Sequence, residues 1–508
     1  MAQFPGKRIV LTSDTTMMSS YHGGVMLGFA AIMPRATLPD WIFQNFFCPP
    51  VPALEDGSAA TAPCGMRKVE AALLESGFSR DEVMVAHPLH LDRAIGPETR
   101  IVGITHDDPM GKIALREIED IIRRGPPFNR SRFIELLSHP LIREHRPRVV
   151  LGGNGAWEVM GEKVDVDHVY LGEGESDFPE ICRQIIRGES VPEVLRGSAV
   201  PGENIPVNRG ATIGGIVEIG RGCWRGCAFC SPTMRSVRHR PIENILKDVR
   251  VNLECGQEDI ILHSEDVFSY GSKGTRPNEK KMTELVAEVK KLGPKTMDFS
   301  HLSLASVHSN QGLLREISKI VGIGSDQNHM SAWIGIETGS CRILKMHMPQ
   351  KALPGETENW PQIVEDCYRL FDEESWLPVA SLVLGLPGET AEDVIRTTEL
   401  VESLKDYTGL MLPLFFTTIA ETKLGGTRGF SKADALPEHW HLVGLCLEYN
   451  LKHLKKLHQL YKERMTAGPL VHAALTGVNL IADVALNKYL KRMKRGEPPN
   501  LSLIHISE

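Results

Sequence analysis

Three cysteines lie within eight positions in the segment EIGRGCWRGCAFC, at Cys223, Cys227 and Cys230. Three thiolates on one short loop can bind three irons of a cubane four-iron four-sulfur (4Fe-4S) cluster and leave its fourth iron open for a chelating substrate. Structural zinc would need a fourth protein ligand, and the nearest candidate, His239, lies nine residues beyond the last cysteine. The spacing therefore predicts an iron–sulfur cluster rather than zinc.

The composition is that of a globular protein, with 508 residues of which 42% are hydrophobic and 24% charged. Ten cysteines are too few for a disulfide scaffold and indicate a reducing compartment. Lysine and arginine number 57 against 64 acidic residues, so the net charge of −7 gives no reason to expect a nucleic-acid partner. The N-terminal segment MAQFPGKRIVL lacks the apolar core of a signal peptide, and the apolar stretch Leu470–Leu486 is too short and polar to span a bilayer. We therefore expect a cytoplasmic protein with no transmembrane segment.

Residues 1–200 alternate short apolar runs with helical patterns, which predicts βαβ units and an open, doubly wound parallel sheet of the α/β class. The predicted strands are Arg8–Leu11, Val83–Ala86, Ile101–Thr105, Val149–Gly152 and His168–Gly172. The predicted helices are Gly65–Ser76, Lys112–Arg124, Ser131–His145 and Ser176–Gly188.

Glycine and small polar residues follow four of these strands, in TS, THDDPMG, GGNG and GEGE. Ligands of doubly wound sheets bind beyond the carboxyl ends of the strands, and glycine lets a bulky ligand approach the backbone. The four loops together therefore predict a cofactor-binding rim. Its candidate residues are Thr12, Ser13, His106, Asp107, Met110, Gly152, Gly153, Gly172, Glu173 and Gly174.

A linker rich in Pro, Gly and Asn at 201–212 precedes six further βα units at 213–430, which predict a partial or complete parallel (β/α)6 barrel of the TIM type. The predicted strands are Gly215–Gly220, Asp259–His263, Met297–Ala305, Ala332–Glu337, Val379–Gly385 and Leu410–Phe416. The helices between them are Ile242–Glu254, Asn278–Leu292, Gln311–Val321, Trp360–Glu374 and Ala391–Leu404.

Residues 431–500 have a helical pattern, and from 450 to 496 they carry ten Lys or Arg against two acidic residues. This basic excess fits either a solvated helical cap or a docking face for an acidic protein or a lipid surface. The last residues, 501–508 (LSLIHISE), fit no preceding periodicity and resemble a translated sequencing adapter, so we expect a non-native tail.

The cysteine loop resembles the signature of the radical S-adenosylmethionine (SAM) superfamily, in which SAM chelates the open iron. Three further segments resemble that superfamily in the expected order: VRHRPIENIL, GIETGS and LGLPGET. The resemblance implies that Glu337 of GIETGS helps to hold SAM. It also makes Arg238, Ser303, Gly385 and Pro387 candidates for cofactor binding.

A doubly wound domain before the barrel is similar to the cobalamin-dependent radical SAM enzymes, the class B radical SAM methyltransferases. The resemblance implies a Rossmann-like cobalamin-binding domain, with cobalamin (as methylcobalamin) beside SAM and the 4Fe-4S cluster. The THDDPMG loop lacks the DxHxxG pattern whose histidine ligates cobalt in some cobalamin proteins, so His106 is not expected to be a lower axial ligand. Methylthiotransferases share the barrel motifs, but they have three N-terminal cysteines for a second cluster, whereas Cys48, Cys64 and Cys182 are widely spaced here.

The resemblance implies a C-methyltransferase that attacks an unactivated carbon through a 5′-deoxyadenosyl radical and methylcobalamin, with a reductant such as ferredoxin or flavodoxin. At the predicted barrel mouth, Glu265, Asp266 and Tyr270 are candidate catalytic residues, and Tyr21, after the first strand, is another. The third barrel strand adds His301 and Ser306 as candidates for SAM or substrate contact.

The opening segment LTSDTTMMSSYHGGVMLGF resembles archaeal cobalamin-binding radical SAM proteins that methylate carbons of methyl-coenzyme M reductase, among them its glutamine C-methyltransferase. This resemblance favours a protein or peptide substrate. Methylation or rearrangement of a lipid or small molecule is the alternative, and the apolar stretch Leu470–Leu486 beside basic residues would suit a lipid. A non-enzymatic cobalamin-binding sensor is disfavoured, because all three cluster cysteines are present.

Overall fold

The computed structural model describes residues 4–23, 25–112, 125–462, 487 and 489–499. The chain divides into two compact units. The described residues up to 217, together with 240–258, form the first unit, and residues 218–239 and those from 259 onward form the second. The predicted barrel range 213–430 includes residues 240–258, which the division by contacts places in the first unit.

The first unit contains a six-stranded sheet in which every pair of neighbouring strands is parallel. Its strands are β1 (Ile9–Thr12), β2 (Val83–Val85), β3 (Ile101–Thr105), β4 (Arg148–Gly152), β5 (His168–Leu171) and β6 (Val194–Arg196). The order across the sheet is β2-β1-β3-β4-β5-β6. This confirms the predicted doubly wound sheet and places its topological switch point between β1 and β3.

Alternate residues of each strand pack into different cores. Val10 and Val102 belong to one core and Ile9 and Ile101 to another, and all four are fully buried. A parallel sheet covered on both faces needs strands that are apolar throughout, which is the pattern that identified these strands in the sequence.

Helices of the first unit cover the two faces of the sheet. They span Cys64–Glu75, Phe128–Leu137, Pro140–His145, Phe178–Ile186 and Ile242–Glu254, and a short helix Asp40–Ile42 leads into a π-helical turn at Phe43–Phe47. The predicted helix Ser131–His145 is wrong as a single element, because it breaks before Pro140. Proline lacks an N–H and pushes the preceding residue out of the helical region, and His139 has a ψ of 133°. Apart from Lys112, the predicted helix Lys112–Arg124 lies outside the described residues.

The helix Ile242–Glu254 is fixed to the first unit by a buried carboxylate. Asp248 Oδ2 accepts hydrogen bonds from Lys68 Nζ and Arg240 Nη1, each at 2.6 Å, and all three side chains are fully buried. Asp248 Oδ1 accepts the main-chain N–H of Asn208 at 2.7 Å. Removal of one partner of such a buried ion pair leaves an uncompensated charge, so these residues depend on one another.

The second unit is a parallel barrel-type wall, as predicted. Its strands are β8 (Asp259–His263), β9 (Thr296–Phe299), β10 (His301–Leu302), β11 (Met330–Glu337), β12 (Trp376–Leu384) and β13 (Leu410–Phe415), and β7 (Ile216–Glu218) leads into them. β8 pairs with β9, and β10 to β13 pair in sequence order, all in parallel. The main-chain N–H of Ile219 donates to the carbonyl oxygen of His263 at 2.9 Å, so the chain beyond β7 lies beside the end of β8.

Helices Glu279–Lys291, Leu304–Ser309, Gln311–Val321, Cys341–His347, Trp360–Glu373 and Ala391–Ser403 follow these strands, and Pro437–Lys462 forms the helical C-terminal region. The predicted strand Met297–Ala305 is wrong at its end, because a helix begins at Leu304. The main-chain N–H of Ser303, just before this helix, donates to Asp266 Oδ1 at 3.2 Å. The prediction failed because a short apolar run alone does not distinguish a buried helix from a strand. The helix Cys341–His347 was not predicted.

Among the helices that the structure describes, none combines the length and apolar character that crossing a bilayer requires. The apolar stretch Leu470–Leu486 and the tail 501–508 lie outside the described residues.

The Asp393 carboxylate links the end of β11 to the helix Ala391–Ser403. Asp393 Oδ1 accepts the hydroxyl of Ser340 at 2.6 Å, and Oδ2 accepts the N–H and hydroxyl of Thr390 in a capping box. Burial acts to raise the pKa of Asp393, but the hydrogen bonds from Arg342, Ser340 and Thr390 outweigh it and hold the pKa well below its ordinary value.

We expect Asp393→Asn to lower the free energy of unfolding by about 2 kcal/mol at pH 7, because these bonds favour the carboxylate. A depressed carboxyl pKa stabilises the fold above its ordinary value of 3.8, and this stability is lost as the pH falls through the lower folded-state pKa. The difference between variant and wild type should therefore shrink only below this ordinary value, as measured by thermal unfolding at pH 7 and at about pH 2. Glu392→Gln, which alters an exposed pair with Arg396, is the matched control; an equal loss in both variants would contradict the assignment.

Candidate active site

The cysteine loop is closed at its base by an antiparallel pairing of Gly220–Arg221 with Arg238–His239. Gly222 has a φ of +83°, and a Cβ there would lie 2.6 Å from the carbonyl oxygen of Ser236, so the entry to the loop requires glycine. The hydroxyl of Thr233 donates to the carbonyl oxygens of Cys227 (2.9 Å) and Cys230 (2.8 Å). These contacts hold the three predicted cluster cysteines on one short turn.

Each of the three thiols has a raised pKa. Burial raises that of Cys223 to about 12, with a further contribution from Asp266. Burial raises the pKa of Cys227, and burial together with the charges of Cys227 and Cys223 raises that of Cys230. The negative charges of neighbouring thiolates therefore repel one another. A bound metal stabilises the thiolates and allows the thiols to lose their protons. This donor set fits an iron–sulfur cluster.

Within the described ranges, no three His, Cys, Asp or Glu side chains converge on a single metal ion. A cubane cluster instead binds each thiolate to a different iron.

Arg225, inside the loop, anchors it to the barrel. Its Nη2 lies 3.1 Å from Asp266 Oδ2 and donates to the Ser306 hydroxyl oxygen at 2.5 Å and to the Thr275 carbonyl oxygen at 2.9 Å. The Ser306 hydroxyl also donates to Asp266 Oδ2 at 2.7 Å. Asp266, predicted as catalytic, therefore has both carboxylate oxygens engaged in positioning the cluster loop and the turn at Ser303.

The neighbouring predicted residues differ in their surroundings. Glu265 is half-buried, and burial, opposed mainly by His263 and Arg235, raises the pKa of its carboxyl. Tyr270 is buried, with its ring 5.6 Å from that of His239. Glu265 also adds to the raised pKa of Cys230, so of these two residues it is the one placed near the cysteines.

Glu337, at the end of β11, has a φ of 66°, and the pairing of β11 with β12 shifts register at this residue. Positive φ is rare outside glycine and marks a locally strained backbone. Its Oε1 accepts from Lys351 Nζ at 2.8 Å, and its Oε2 accepts the Ser381 hydroxyl at 3.0 Å. Lys351 was not predicted from the sequence, because it follows an unpredicted helix and belongs to no periodic pattern.

The remaining predicted barrel residues lie around these elements. The carbonyl oxygen of Pro387 is 2.7 Å from His347 Nε2. Gly385 has a φ of +79°, and a Cβ there would lie 2.0 Å from the Phe430 ring. Arg238 Nε donates to the Ser236 carbonyl oxygen at 3.1 Å, and the Ser303 side chain is buried.

Three aromatic rings line one side of the barrel wall. The His301 ring lies 5.8 Å from that of His263 and 6.2 Å from that of Trp333. Reduced hydration within the protein, and then the neighbouring His263, lower the pKa of His301.

In the first unit, a buried Asp–His pair occupies the switch point of the sheet. Asp14 follows β1 and His106 follows β3, and their Oδ2 and Nε2 atoms are 2.8 Å apart. His106 Nδ1 accepts the main-chain N–H of Asp108 at 2.9 Å. Burial acts to raise the pKa of Asp14, but His106 and the bonds from Thr16 outweigh it and lower the pKa. Nδ1 of His106 is thus hydrogen-bonded within the protein, and its Nε2 faces the Asp14 carboxylate.

The predicted residues that flank this pair are mostly buried. The hydroxyls of Thr12 and Ser13 donate to the carbonyl oxygens of Ala86 (3.0 Å) and Thr105 (2.5 Å). Met110 lies in the hydrophobic core, and Asp107 Oδ1 accepts from Asn154 at 3.3 Å.

Two of the rim glycines are required by the backbone. Gly153 and Gly172 have φ values of +98° and +99°, and a Cβ on either would lie within 2.8 Å of a neighbouring carbonyl oxygen. Gly152 and Gly174 have no such close contact. Glu173 Oε2 accepts the main-chain N–H of Val200 at 2.8 Å.

Tyr21 also lies in the first unit, in the segment after β1. It has a φ of 45°, and its hydroxyl donates to the Thr16 carbonyl oxygen at 2.5 Å. The structure thus brings one predicted set together at the switch point and another around the cysteine loop.

Residues 217–401 match the family model of the Radical SAM superfamily. The chain is 25% identical over 251 residues to the ribosomal protein uS12 methylthiotransferase RimO of Thermotoga sp. (strain RQ2), covering 46% of this chain and 55% of that protein. It is 24% identical over 264 residues to a tRNA-2-methylthio-N(6)-dimethylallyladenosine synthase of Clostridium perfringens (strain SM101 / Type A), covering 47% and 51%. The chain thus spans about half the length of these curated relatives.

A solved structure resembles most of the chain. It is the radical S-adenosylmethionine methyltransferase TsrM from Kitasatospora setae, with cobalamin and a 4Fe-4S cluster bound; the TM-score is 0.50 at 16% identity, covering 82% of this chain and 77% of that one. At this identity the match establishes the fold, a doubly wound domain followed by a radical SAM barrel, as the sequence predicted.

Glu158 provides a pH test of the loops around the switch point. It is fully buried, its Oε2 accepts the N–H of Met110 at 2.8 Å, and burial together with the nearby Asp108 raises its pKa to about 9. The unfolded chain releases this proton near pH 4.5, whereas the folded protein keeps it up to about pH 9. The free energy of unfolding therefore falls as the pH rises through this window.

Glu158→Gln should consequently raise the melting temperature by a few degrees at pH 8 and change it little at pH 5. Glu162→Gln, which alters a more exposed pair with Lys112, is the control and should show no such dependence. A gain for Glu158→Gln that is the same at both pH values would show that Glu158 is ionised in the folded protein.

Proposed function

We propose that this protein is a cobalamin-dependent radical SAM enzyme that methylates an unactivated carbon. The observation that carries the proposal is the loop with Cys223, Cys227 and Cys230, anchored by Arg225 inside a barrel that matches the Radical SAM family model. The doubly wound first unit and the fold shared with TsrM support the cobalamin part of the proposal.

The three cysteines would hold the 4Fe-4S cluster, and Glu337 would help to hold SAM. Cobalamin would bind at the switch point of the first unit, among the loops that follow β1, β3, β4 and β5. Because Nδ1 of His106 accepts a main-chain N–H and its buried Nε2 faces the Asp14 carboxylate, the residues support a corrin bound without this histidine on cobalt. When bound, the cluster and SAM supply a 5′-deoxyadenosyl radical, and cobalamin supplies the methyl group.

The protein's own residues orient these groups and exclude water, which would otherwise compete for reactive intermediates. The N–H of Leu424 donates to the Ala228 carbonyl oxygen at 3.2 Å, so the chain after β13 lies against the cysteine loop. Phe430 packs against Gly385 of the LGLPGET segment. Glu265, whose carboxyl has a raised pKa, can hold a proton near the mouth of the barrel.

We infer that the substrate is a protein or peptide, and that a glutamine of methyl-coenzyme M reductase is the first acceptor to test. The resemblance of the segment after β1 to archaeal protein-methylating enzymes supports this, and RimO is named for a protein substrate. Small molecules are the alternative, since a second TsrM structure is described with tryptophan as substrate. We also infer a reductant such as ferredoxin or flavodoxin.

Methylthio transfer, including transfer to RNA, is the second candidate. The names of the curated relatives RimO and tRNA-2-methylthio-N(6)-dimethylallyladenosine synthase refer to this reaction. The expectation that nucleic acid is no partner therefore needs a direct test. The N-terminal cysteines favour methyl transfer, because Cys48, Cys64 and Cys182 are widely spaced in the chain, whereas Cys223, Cys227 and Cys230 lie on one short loop.

Anaerobic reconstitution followed by a SAM assay tests the radical chemistry. We expect wild type to bind iron and to form 5′-deoxyadenosine with a reductant, and Cys223→Ala to lose both. Cys255→Ala, which alters an exposed and isolated cysteine, should retain both. Wild type that loads a cluster but forms no 5′-deoxyadenosine would leave a cobalamin-binding module as the explanation.

Mass spectrometry with SAM labelled by deuterium in the methyl group then separates the reactions. Candidate acceptors are glutamine peptides, tRNA and small molecules. Methyl transfer places the labelled group on carbon, whereas methylthio transfer also adds sulfur. Production of 5′-deoxyadenosine without any labelled acceptor would favour a radical rearrangement.

Asp266→Asn distinguishes an anchoring role from a catalytic one. If Asp266 anchors the loop through Arg225, the variant should lose at least half of the bound iron together with activity, because a buried charged bond is broken. Ser306→Ala removes the hydroxyl that bonds to Arg225 and Asp266 but keeps the ion pair between these two residues, and it should lose less iron. Full iron content with abolished turnover in Asp266→Asn would instead support catalysis by Asp266.

A further inference from the structure

Lys351 places an ammonium group among the cluster and SAM-binding residues. It is buried, with 8% of its surface exposed, and its Nζ donates to Glu337 Oε1 at 2.8 Å. Lysine is almost never buried without a charged partner, since burial of an ammonium group is costly. A buried lysine at this position therefore needs an explanation in terms of the groups around it.

The segment that carries Lys351 is in contact with the cysteine loop. The N–H of Ala228 donates to the His347 carbonyl oxygen at 2.8 Å, and Arg225 Nη1 donates to the Gln350 carbonyl oxygen at 3.5 Å. Burial acts to lower the pKa of Lys351, but the charges of Glu337, Cys227 and Cys223 outweigh it and raise the pKa. Lys351 thus pairs with Glu337 in a segment that contacts the cysteine loop.

Gly335, in β11, leaves room for the ion pair of Lys351 and Glu337. A Cβ at Gly335 would lie 2.0 Å from Glu337 Oε1 and 2.4 Å from Lys351 Nζ, so this position has room for the pair only because it is glycine. The positive φ of Glu337 and the register shift at this residue accompany the same arrangement, and Ser381 fixes the second carboxylate oxygen. These features indicate a defined site rather than incidental packing.

We propose that Lys351 is a positioning residue that holds the Glu337 carboxylate for SAM and offsets the negative charge of the cluster thiolates. The inference rests on the proposed function, because it takes the three cysteines as cluster ligands. Reduction adds a negative charge to the cluster, and a nearby fixed positive charge favours that state. Lys351 should therefore raise the reduction potential of the cluster as well as orient Glu337.

The test compares Lys351→Met with Lys351→Arg in anaerobically reconstituted full-length protein. We expect Lys351→Met to retain its iron and to shift the midpoint potential of the cluster to a more negative value. SAM changes the electron paramagnetic resonance spectrum of the reduced cluster, and the variant should need at least tenfold more SAM for the same change. Lys351→Arg keeps the charge and should restore most of the potential. Lys345→Met is the matched control, because Lys345 forms an exposed pair with Glu358 in the same segment.

A second variant addresses the possibility that Lys351→Met unfolds because Glu337 is left without its partner. In Glu337→Gln/Lys351→Met both charges are removed and the volumes are nearly kept, so the barrel should fold, as circular dichroism would verify. The cluster of this double variant should bind SAM weakly. The single variant Glu337→Gln keeps the ammonium group, so its cluster should have a less negative midpoint potential than that of the double variant. Equal midpoint potentials in the single and double variants would overturn the electrostatic part of the inference.

The outcomes also separate this inference from the proposed function. Wild-type protein that binds no cluster or does not respond to SAM would refute the function itself. Wild type with a SAM-responsive cluster, together with Lys351→Met that has an unchanged potential and unchanged SAM response, would refute only the role of Lys351.

Discussion

The need to neutralise buried charge governs the centre of the second unit. Arg225 with Asp266, Lys351 with Glu337, and Arg221 with Glu218 each form an ion pair on a different element of the barrel. Because a buried charge is tolerated only with a partner, the first two pairs each fix the relative position of two chain segments, whereas the third holds the entry to the cysteine loop locally. The cysteine loop is bound in this way to the turn after β8, and the end of β11 is bound to the segment after the helix Cys341–His347.

The same principle shapes the first unit, with a different result. At the switch point a carboxylate and an imidazole face each other, while hydroxyls of Thr12 and Ser13 satisfy the carbonyl groups of adjacent loops. The loops at this edge are therefore held by internal polar bonds and by glycines whose backbone no other residue adopts easily. Such an edge keeps its shape before a ligand arrives, which lowers the entropic cost of binding.

The sequence was informative wherever a feature is local or periodic. The parallel strands were found because both of their faces are apolar, and the cysteine loop because three ligands fall within one turn. Long-range contacts left no such signal. The anchoring role of Arg225 and the pairing of Asp14 with His106 depend on segments far apart in the chain. Lys351 lies 14 residues from Glu337, which is outside the spacing of any helical or strand pattern. The helix at Leu304 was missed for a related reason, since its start depends on a carboxylate 37 residues away.

The helix Ile242–Glu254 follows β7 in the chain but is held by Lys68, through Asp248, in the first unit. The polypeptide thus returns to the first unit after it has already supplied the cysteine loop to the second. Neither unit is a contiguous stretch of sequence. A cut at the linker would leave Asp248 paired with Arg240 alone in the downstream fragment and would separate Lys68 from this carboxylate in the upstream one. Expression of the first unit alone would therefore have to include residues 240–258 as well as the residues up to 217.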